Sequence, residues 1–358
     1  MKTLFITGIT GFLGSYFVKE ALSRGDNVVG LVRPLENMLA EERIDDIFGK
    51  NNKIEVVEGD VREDDLGVDR AQLSNLRERV DEIWHFAGLT SFDEHKKNEI
   101  MEVNYAGTVN VTKFASSITN LDFLAHISTA YVCGDMQSTV YENDLSTRGA
   151  FRNTYEESKY LAEKAVQKAD IKHIIFRPSV IVGDSKTGKT SCFNMVYIPW
   201  AGVHLAKKRY MRDKDVFEEE TIKLPLRIVG NPDATLNIIP VNYAISMMTQ
   251  LGKRENTGNS YHVANPEPTT MGKLLGAISS ALDVEGVEYV PTLARDNGIN
   301  ALERLYLSRT GPYQEYMLTN DPVFDMTNSG KLSTSVPKPD QAFLHRLIKY
   351  GMENNWGR

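Results

Sequence analysis

Tyr155 and Lys159 stand four residues apart in TYEESKYLAEKA (154–165), a stretch rich in helix formers. That spacing puts both side chains on one face of a helix. An ammonium beside a phenol stabilises the phenolate and draws the tyrosine pKa towards neutrality. Such a tyrosine can exchange a proton with an alcohol or carbonyl oxygen. The pair by itself is common and often only a surface contact, so it needs a setting. TGITGFLG (7–14) supplies one, spacing Gly8, Gly11 and Gly14 between an apolar strand and an amphipathic helix. Glycine there lets the backbone turn tightly and approach a pyrophosphate, which rests on the helix N-terminus. The expected contacts in this turn are Gly8, Thr10, Gly11, Phe12, Leu13 and Gly14.

The second strand ends LVR, which places Arg33 where a carboxylate would read the ribose 2′-hydroxyl of NAD. A guanidinium suits a 2′-phosphate instead, so NADPH or NADP is favoured over NAD. Arg43 is a candidate second contact. The plainer reading of Arg33 is a solvated charge at a strand end. A rival nucleotide site is spelled by GDSKTGKT (183–190), which fits the phosphate-loop pattern G-x-x-x-x-G-K-[ST]. A phosphate loop should open a regular helix, yet SCFNMVYIPW follows and brings Pro199 and bulky aromatics within a few residues. Nor does an apolar strand ending in a magnesium-binding aspartate stand out. The match is read as coincidence.

The elements that must position these residues alternate through the first half of the chain. Strand-like runs TLFIT (3–7), NVVGLV (27–32), KIEVVEGDV (53–61), EIWHFAG (82–88), FLAHIST (123–129) and HIIFRPSVIVG (173–183) are separated mostly by helical patterns, notably near 96–118 and 154–169. Short, nearly continuous apolar strands alternating with helices indicate an α/β, doubly wound parallel sheet with ligands at the strands' carboxyl ends. LNIIPV (236–241) and SYHVAN (260–265) read as two more strands returning to that sheet. Residues 185–235 show little periodicity, and 266–358 read as helices and loops. The expected division is a nucleotide-binding domain at 1–184 and 236–266, with a smaller discontinuous substrate-binding region at 185–235 and 267–358.

Composition narrows the partners. The chain has 358 residues, 41 basic against 48 acidic, and a net charge of −7, which argues against nucleic acid as a partner. Two cysteines without metal spacing, and seven histidines with no H-x-x-x-H pattern, predict no metal site. An apolar strand begins at Thr3, leaving no room for a signal peptide, and no apolar run is long enough to span a bilayer. A cytoplasmic location is the default expectation.

In order along the chain, TGITGFLG, HFAG, VNYAGTVNV, ISTAYVCG, YEESK and RPSVIVG resemble the extended short-chain dehydrogenases/reductases over residues 3–270. The resemblance implies that Thr129 hydrogen-bonds the substrate oxygen beside Tyr155, with Ser128 the weaker candidate, and that Lys159 also binds the nicotinamide ribose. It implies that Asp60 and Val61 flank adenine, Ala87 and Gly88 line the cofactor, Asn104 holds a water next to Lys159, and Pro178 meets the nicotinamide. Within the family the phrasing is most similar to the thioester-reductase and fatty-acyl-reductase branch, with Asn242 departing from an expected aspartate. The implied reaction is NADPH-dependent reduction of an acyl-CoA or acyl-carrier-protein thioester to aldehyde or alcohol. Residues 196–212 are then a candidate acyl channel, with Lys207, Lys208 and Arg209 as phosphate contacts or plain surface charges. A homodimer through the helices near 96–118 and 154–169 is a further implication. The alternatives are a ketone or hydroxysteroid reductase, a nucleotide-sugar epimerase or dehydratase, and a non-catalytic NADP-binding regulator. Ala130 stands where a dehydratase would carry a carboxylate after the threonine.

Overall fold

The structure is a computed structural model that describes residues 1–145, 149–215, 221–293, 298–331, 336 and 338–357. In chain order the first elements are β1 (Thr3–Thr7), α1 (Phe12–Ser23), β2 (Asn27–Val32), α2 (Ala40–Phe48), β3 (Ile54–Glu58), α3 (Arg70–Arg79) and β4 (Glu82–His85). They are followed by α4 (Lys97–Met101), α5 (Gly107–Ser116), β5 (Phe123–Ile127), α6 (Thr154–Lys168) and β6 (His173–Pro178). With the strand Ser260–Val263 they build a seven-stranded sheet in the order Ser260–Val263, β6, β5, β4, β1, β2, β3. Every pairing in it is parallel. This is the doubly wound α/β sheet expected.

Strand residues alternate between two buried faces. Phe5, Ile83, Leu124 and Ile175 join Leu73 and Leu76 of α3 and Val111 and Phe114 of α5 in one cluster. On the other face Trp84 lies 4.1 Å from the ring of Phe17 in α1 and stacks 5.9 Å from Phe176. Burial on both sides explains why the strands read as continuous apolar runs rather than alternating ones. The strand order reverses at β1, which has β2 on one side and β4 on the other, so a crevice opens at the carboxyl ends of β1 and β4.

Three expectations need correction. The run 173–183 is two strands, not one: Ser179 N donates to Val263 O, but Val180 N donates to Asn237 O, so the chain changes partner at that residue. In consequence Ile238–Pro240 pairs with Val180–Val182 in a separate two-stranded sheet, and only Ser260–Val263 returns to the main one. The free edge of β6 is taken by Ser260–Val263. Third, Ile222–Val229 and Val284–Val290 form a parallel pair in regions read as irregular or helical. The alternation was present in IKLPLRIV, with Ile222, Leu224, Leu226 and Ile228 buried, but Pro225 reads against a strand.

The chain folds as two compact units. Whereas the sequence places the first break after residue 184, the first unit comprises Met1–Ser179, Ala244–Ala264 and Phe324–Thr334, and the second Val180–Tyr243, Asn265–Val323 and Ser335–Arg358. Within the second unit, an 18-residue helix, Tyr197–Lys214, tolerates Pro199 because it falls in the first turn, where no intrahelical N–H is needed. That unit also holds an apolar pocket lined by Trp200, Val203, Leu274, Ile278, Tyr289 and Tyr306 among others. Among the described residues no helix is long and apolar enough to cross a membrane.

Candidate active site

Helix α6 starts from Asn153, whose side chain caps it by accepting from Glu156 N at 3.0 Å. Tyr155 therefore sits in the first turn, half-buried, its ring 5.9 Å from that of Phe92. One turn on, Lys159 is buried, and its Nζ donates to Ile127 O at 2.5 Å, at the last residue of β5. Burial pushes this ammonium down to about 8, opposed by the Glu163 carboxylate. Two residues beyond Ile127, Thr129 is buried in extended conformation, and its Oγ1 accepts from Tyr131 N at 3.3 Å to start the turn Ala130–Cys133. That turn packs against α6. The end of β5 thus gathers Thr129 and the Lys159 ammonium, with Tyr155 one helical turn from the latter. Ser128, beside them, has a buried hydroxyl with no protein partner among the described residues.

The glycine turn closes on the strand-order switch. Gly8 has φ +70°, and a Cβ there would lie 2.4 Å from Ala87 N, while a Cβ on Gly14 would lie 2.3 Å from Gly8 O. Gly11 N donates to Gly8 O at 2.9 Å and Gly11 becomes the N-cap of α1, so no side chain caps that helix. Thr10, Phe12 and Leu13 lie in the same turn, and Thr10 Oγ1 accepts from Arg43 Nη2 at 3.0 Å. Arg43 also donates to the Arg33 carbonyl. Burial first, and then the neighbouring Arg33 charge, lower the Arg43 pKa. Arg33 remains about half exposed at 3.9 Å from Asp60. Burial pushes the Asp60 carboxyl up, but hydrogen bonds from Arg62 outweigh it and hold it below the usual range. Two guanidinium groups therefore flank the carboxyl end of β2 beside the glycine turn.

The other expected cofactor residues are distributed around the same strand ends. Val61 is buried after β3, and its carbonyl accepts from Asn110. Ala87 N donates to Thr7 Oγ1 at 3.3 Å, and a Cβ on Gly88 would meet Asn104 Oδ1 at 3.4 Å. Pro178 ends β6 opposite Val263. Asn104 is fully buried in a π-helical turn, Glu102–Ala106, between α4 and α5. Its Oδ1 accepts from Leu89 N at 2.7 Å, and its Nδ2 donates to Leu89 O at 3.1 Å and Ser158 Oγ at 2.9 Å. Its amide protons thus have protein acceptors.

GDSKTGKT folds back on itself. Asp184 Oδ1 accepts from Lys186 N, Thr187 N and Thr187 Oγ1, Asp184 N donates to Lys189 O, and the next helix starts only at Tyr197. That is an aspartate-closed turn, not a loop opening a helix. Asn242, the departure from the family pattern, accepts from Ser185 N and donates to Ser185 Oγ, the second of which an aspartate cannot do. Lys207 Nζ donates to Leu282 O at the end of the helix Met271–Leu282, and Arg209 pairs with Asp213.

Sequence reasoning passed over Glu163, which was legible as the next same-face residue after Lys159. It is fully buried and takes a bidentate grip from Arg177, Nη2 to Oε2 at 2.7 Å. It also passed over Glu142, which is buried and accepts from the backbone N–H groups of His262, Asn328 and Ser329. Nothing local marks Glu142, because its partners lie more than 100 residues away.

A family model described as male sterility protein matches residues 6–248. Fatty acyl-CoA reductase wat of Drosophila melanogaster is 28% identical over 240 residues, which are 55% of this chain and 46% of that protein. The chain therefore spans less than half the length of that relative. Among solved structures, the terminal R domain from the myxalamid PKS-NRPS biosynthetic pathway superposes with TM-score 0.80 at 22% identity, covering 99% of this chain and 92% of that one. UDP-glucuronic acid 4-epimerase from Bacillus cereus, in complex with NAD, superposes with TM-score 0.66 at 16% identity, covering 98% of this chain and 99% of that one. At these identities the superpositions speak to the fold.

Proposed function

The chain belongs to the male sterility protein family, in the fatty-acyl- and thioester-reductase branch of the extended short-chain dehydrogenases/reductases, and from that premise we propose that it reduces acyl thioesters with NADPH. The observation that carries the proposal is the Lys159 ammonium, buried on the Ile127 carbonyl between the turn that bears Thr129 and the turn that bears Tyr155. The residues fit a dinucleotide: the glycine turn leaves no room for a Cβ at Gly8 or Gly14, α1 has no side-chain cap, and Arg33 and Arg43 are a donor set for a 2′-phosphate. The pyrophosphate would rest on Gly11–Gly14, with Asp60 and Val61 towards the adenine and Ala87, Gly88 and Pro178 along the rest.

A bound reduced nicotinamide supplies hydride. Lys159 holds positive charge beside Tyr155, which keeps the phenol ready to release its proton. Tyr155 gives that proton to the thioester carbonyl oxygen as negative charge develops there. Thr129 Oγ1 accepts from Tyr131 N, which leaves its own proton available to steady the same oxygen. Collapse of the resulting hemithioacetal releases the thiol and leaves an aldehyde.

The test is oxidation of NADPH in the presence of acyl-CoAs, acyl-carrier thioesters, ketones and nucleotide sugars. Turnover of thioesters is expected, with Tyr155→Phe slower by about 10²–10⁴-fold. Turnover confined to nucleotide sugars or ketones would overturn the substrate assignment. Wild type and Tyr155→Phe equally inert across the panel would favour a regulatory role.

A further inference from the structure

Five polar side chains of the first unit, Thr7, His85, Asn104, Thr108 and Ser158, are wholly shielded from solvent. Burying such groups is unfavourable unless each finds a partner, and apolar residues would fill the same volume. They are joined end to end. Ala87 N donates to Thr7 Oγ1 at 3.3 Å, and Thr7 Oγ1 lies 2.7 Å from His85 Nδ1. His85 Nε2 lies 3.0 Å from Thr108 Oγ1, which donates to Asn104 O at 2.6 Å. Asn104 Nδ2 donates to Ser158 Oγ at 2.9 Å, and Ser158 Oγ donates to Tyr155 O at 2.8 Å.

The protons in this chain have one arrangement. A hydroxyl carries one proton, and that of Thr108 is committed to Asn104 O. Thr108 can therefore only accept from His85, which fixes the proton on Nε2. Nδ1 is then an acceptor and takes the Thr7 hydroxyl proton, while the Thr7 oxygen accepts from Ala87 N. Burial agrees with an uncharged ring, pushing the His85 imidazole down to about 3, with the Lys159 charge contributing. The middle of the chain is the π-helical turn, where Gly107 N reaches back five residues to Glu102 O. Thr108 therefore fastens the one irregular turn of this helix to the sheet through His85.

We propose that His85 is a positioning residue: as a neutral ring locked with its proton on Nε2, it couples the β1–β4 strand ends to the backbone of Tyr155 and so fixes where the reacting phenol stands. This rests on the catalytic role given to Tyr155 above. His85 touches neither substrate nor cofactor in this account; it acts through Thr108, Asn104 and Ser158.

The test exploits the two arms of the ring. His85→Gln places an amide donor near the Nε2 position and keeps the Thr108 arm, whereas His85→Asn keeps only the Thr7 arm. Thr108→Val removes the hydroxyl, and Thr108→Ser restores it. On thioester reduction, His85→Asn and Thr108→Val are expected to lower kcat about tenfold with the KM for NADPH within about twofold. The double variant should be no slower than either single one, His85→Gln should lose less than His85→Asn, and Thr108→Ser should recover most of the rate. Independently of turnover, the ¹³Cζ resonance of Tyr155 in the nucleotide-free protein should titrate at a different pH in Thr108→Val and return in Thr108→Ser. Effects that multiply in the double variant, or a Tyr155 resonance and kcat unchanged in Thr108→Val, would reduce the chain to core filling and overturn the proposal. Should His85 variants fail to fold, the Thr108 pair decides alone. If the wild type turns over no thioester, the functional reading falls, and the Tyr155 resonance still judges His85.

Discussion

In the proposed mechanism Lys159 holds its charge in a place that discourages charge. Its folded-state pKa, about 8, lies below the ordinary 10.5. Between those values the unfolded chain binds the extra proton, so this group's contribution makes stability rise with pH over that window. Below about 8 both states are charged, and the burial cost is carried in full. Under the proposed mechanism activity should run the other way, because there the ammonium prepares Tyr155. The thioester reduction rate is expected to decline as pH rises through about 8, and Lys159→Arg, which keeps its charge, should move that decline to higher pH at a lower maximal rate. An unchanged alkaline limb in Lys159→Arg would show that another group sets it. At the cofactor end, Arg43 is held by the Thr10 hydroxyl and the Arg33 carbonyl. Replacing both arginines with alanine should weaken NADPH about 10- to 100-fold and NADH by less than about threefold, read as dissociation constants. Equal losses for the two nucleotides would mean that neither arginine reads the 2′ position.

At the scale of the element, the first βα turn has no tolerance. A methyl on Gly14 would stand 2.3 Å from Gly8 O, where only backbone movement could relieve the clash. Gly14→Ala should therefore displace α1 from β1, lower the thermal midpoint and abolish nucleotide binding together. Gly25→Ala is the informative comparison: its φ of +83° is strained for alanine, but no atom lies within 4 Å of the added Cβ. It should cost about 1 kcal/mol and leave nucleotide affinity intact. If the two substitutions behave alike, close approach is not what the turn's glycine provides. The phosphate-loop look-alike shows the same lesson from the other side. Gly188 has φ +74°, and its Cβ would meet Arg346 O at 2.5 Å, so the residue serves a turn packed against its own unit.

For the molecule as a whole, the joint between α6 and β6 is ionic and shielded from solvent. Glu163 and Arg177 are both fully buried, and Arg177 also donates to the carbonyls of Glu142 and Asp144. Glu163→Gln leaves a buried guanidinium without its counter-charge and should cost about 3–5 kcal/mol in urea unfolding. Replacing the pair together by Met and Leu should cost less than the two single changes summed. A double variant that merely adds the two losses would argue that the ions act separately. Glu142 has a comparable architectural place, because its carboxylate receives backbone N–H groups from both Ser260–Val263 and the segment around Asn328 and Ser329, tying late chain to the first sheet.

Local pattern by itself determined the parallel sheet, the glycine turn, the Tyr155–Lys159 face and the rejection of GDSKTGKT as a phosphate loop, since each depends on residues a few positions apart. Buried strands, tight turns and helix spacing are short-range physics, and short-range physics is written along the chain. Only the tertiary structure decided that the chain changes sheets at Ser179, that Arg43 leans on Thr10, and that Lys159 finds its acceptor at Ile127. The run from Thr7 to Tyr155 is of the same kind, spanning 148 residues through five side chains whose types are ordinary singly. Hydrogen bonds of that reach exist only once strand order has brought β1, β4 and the helices beside them together.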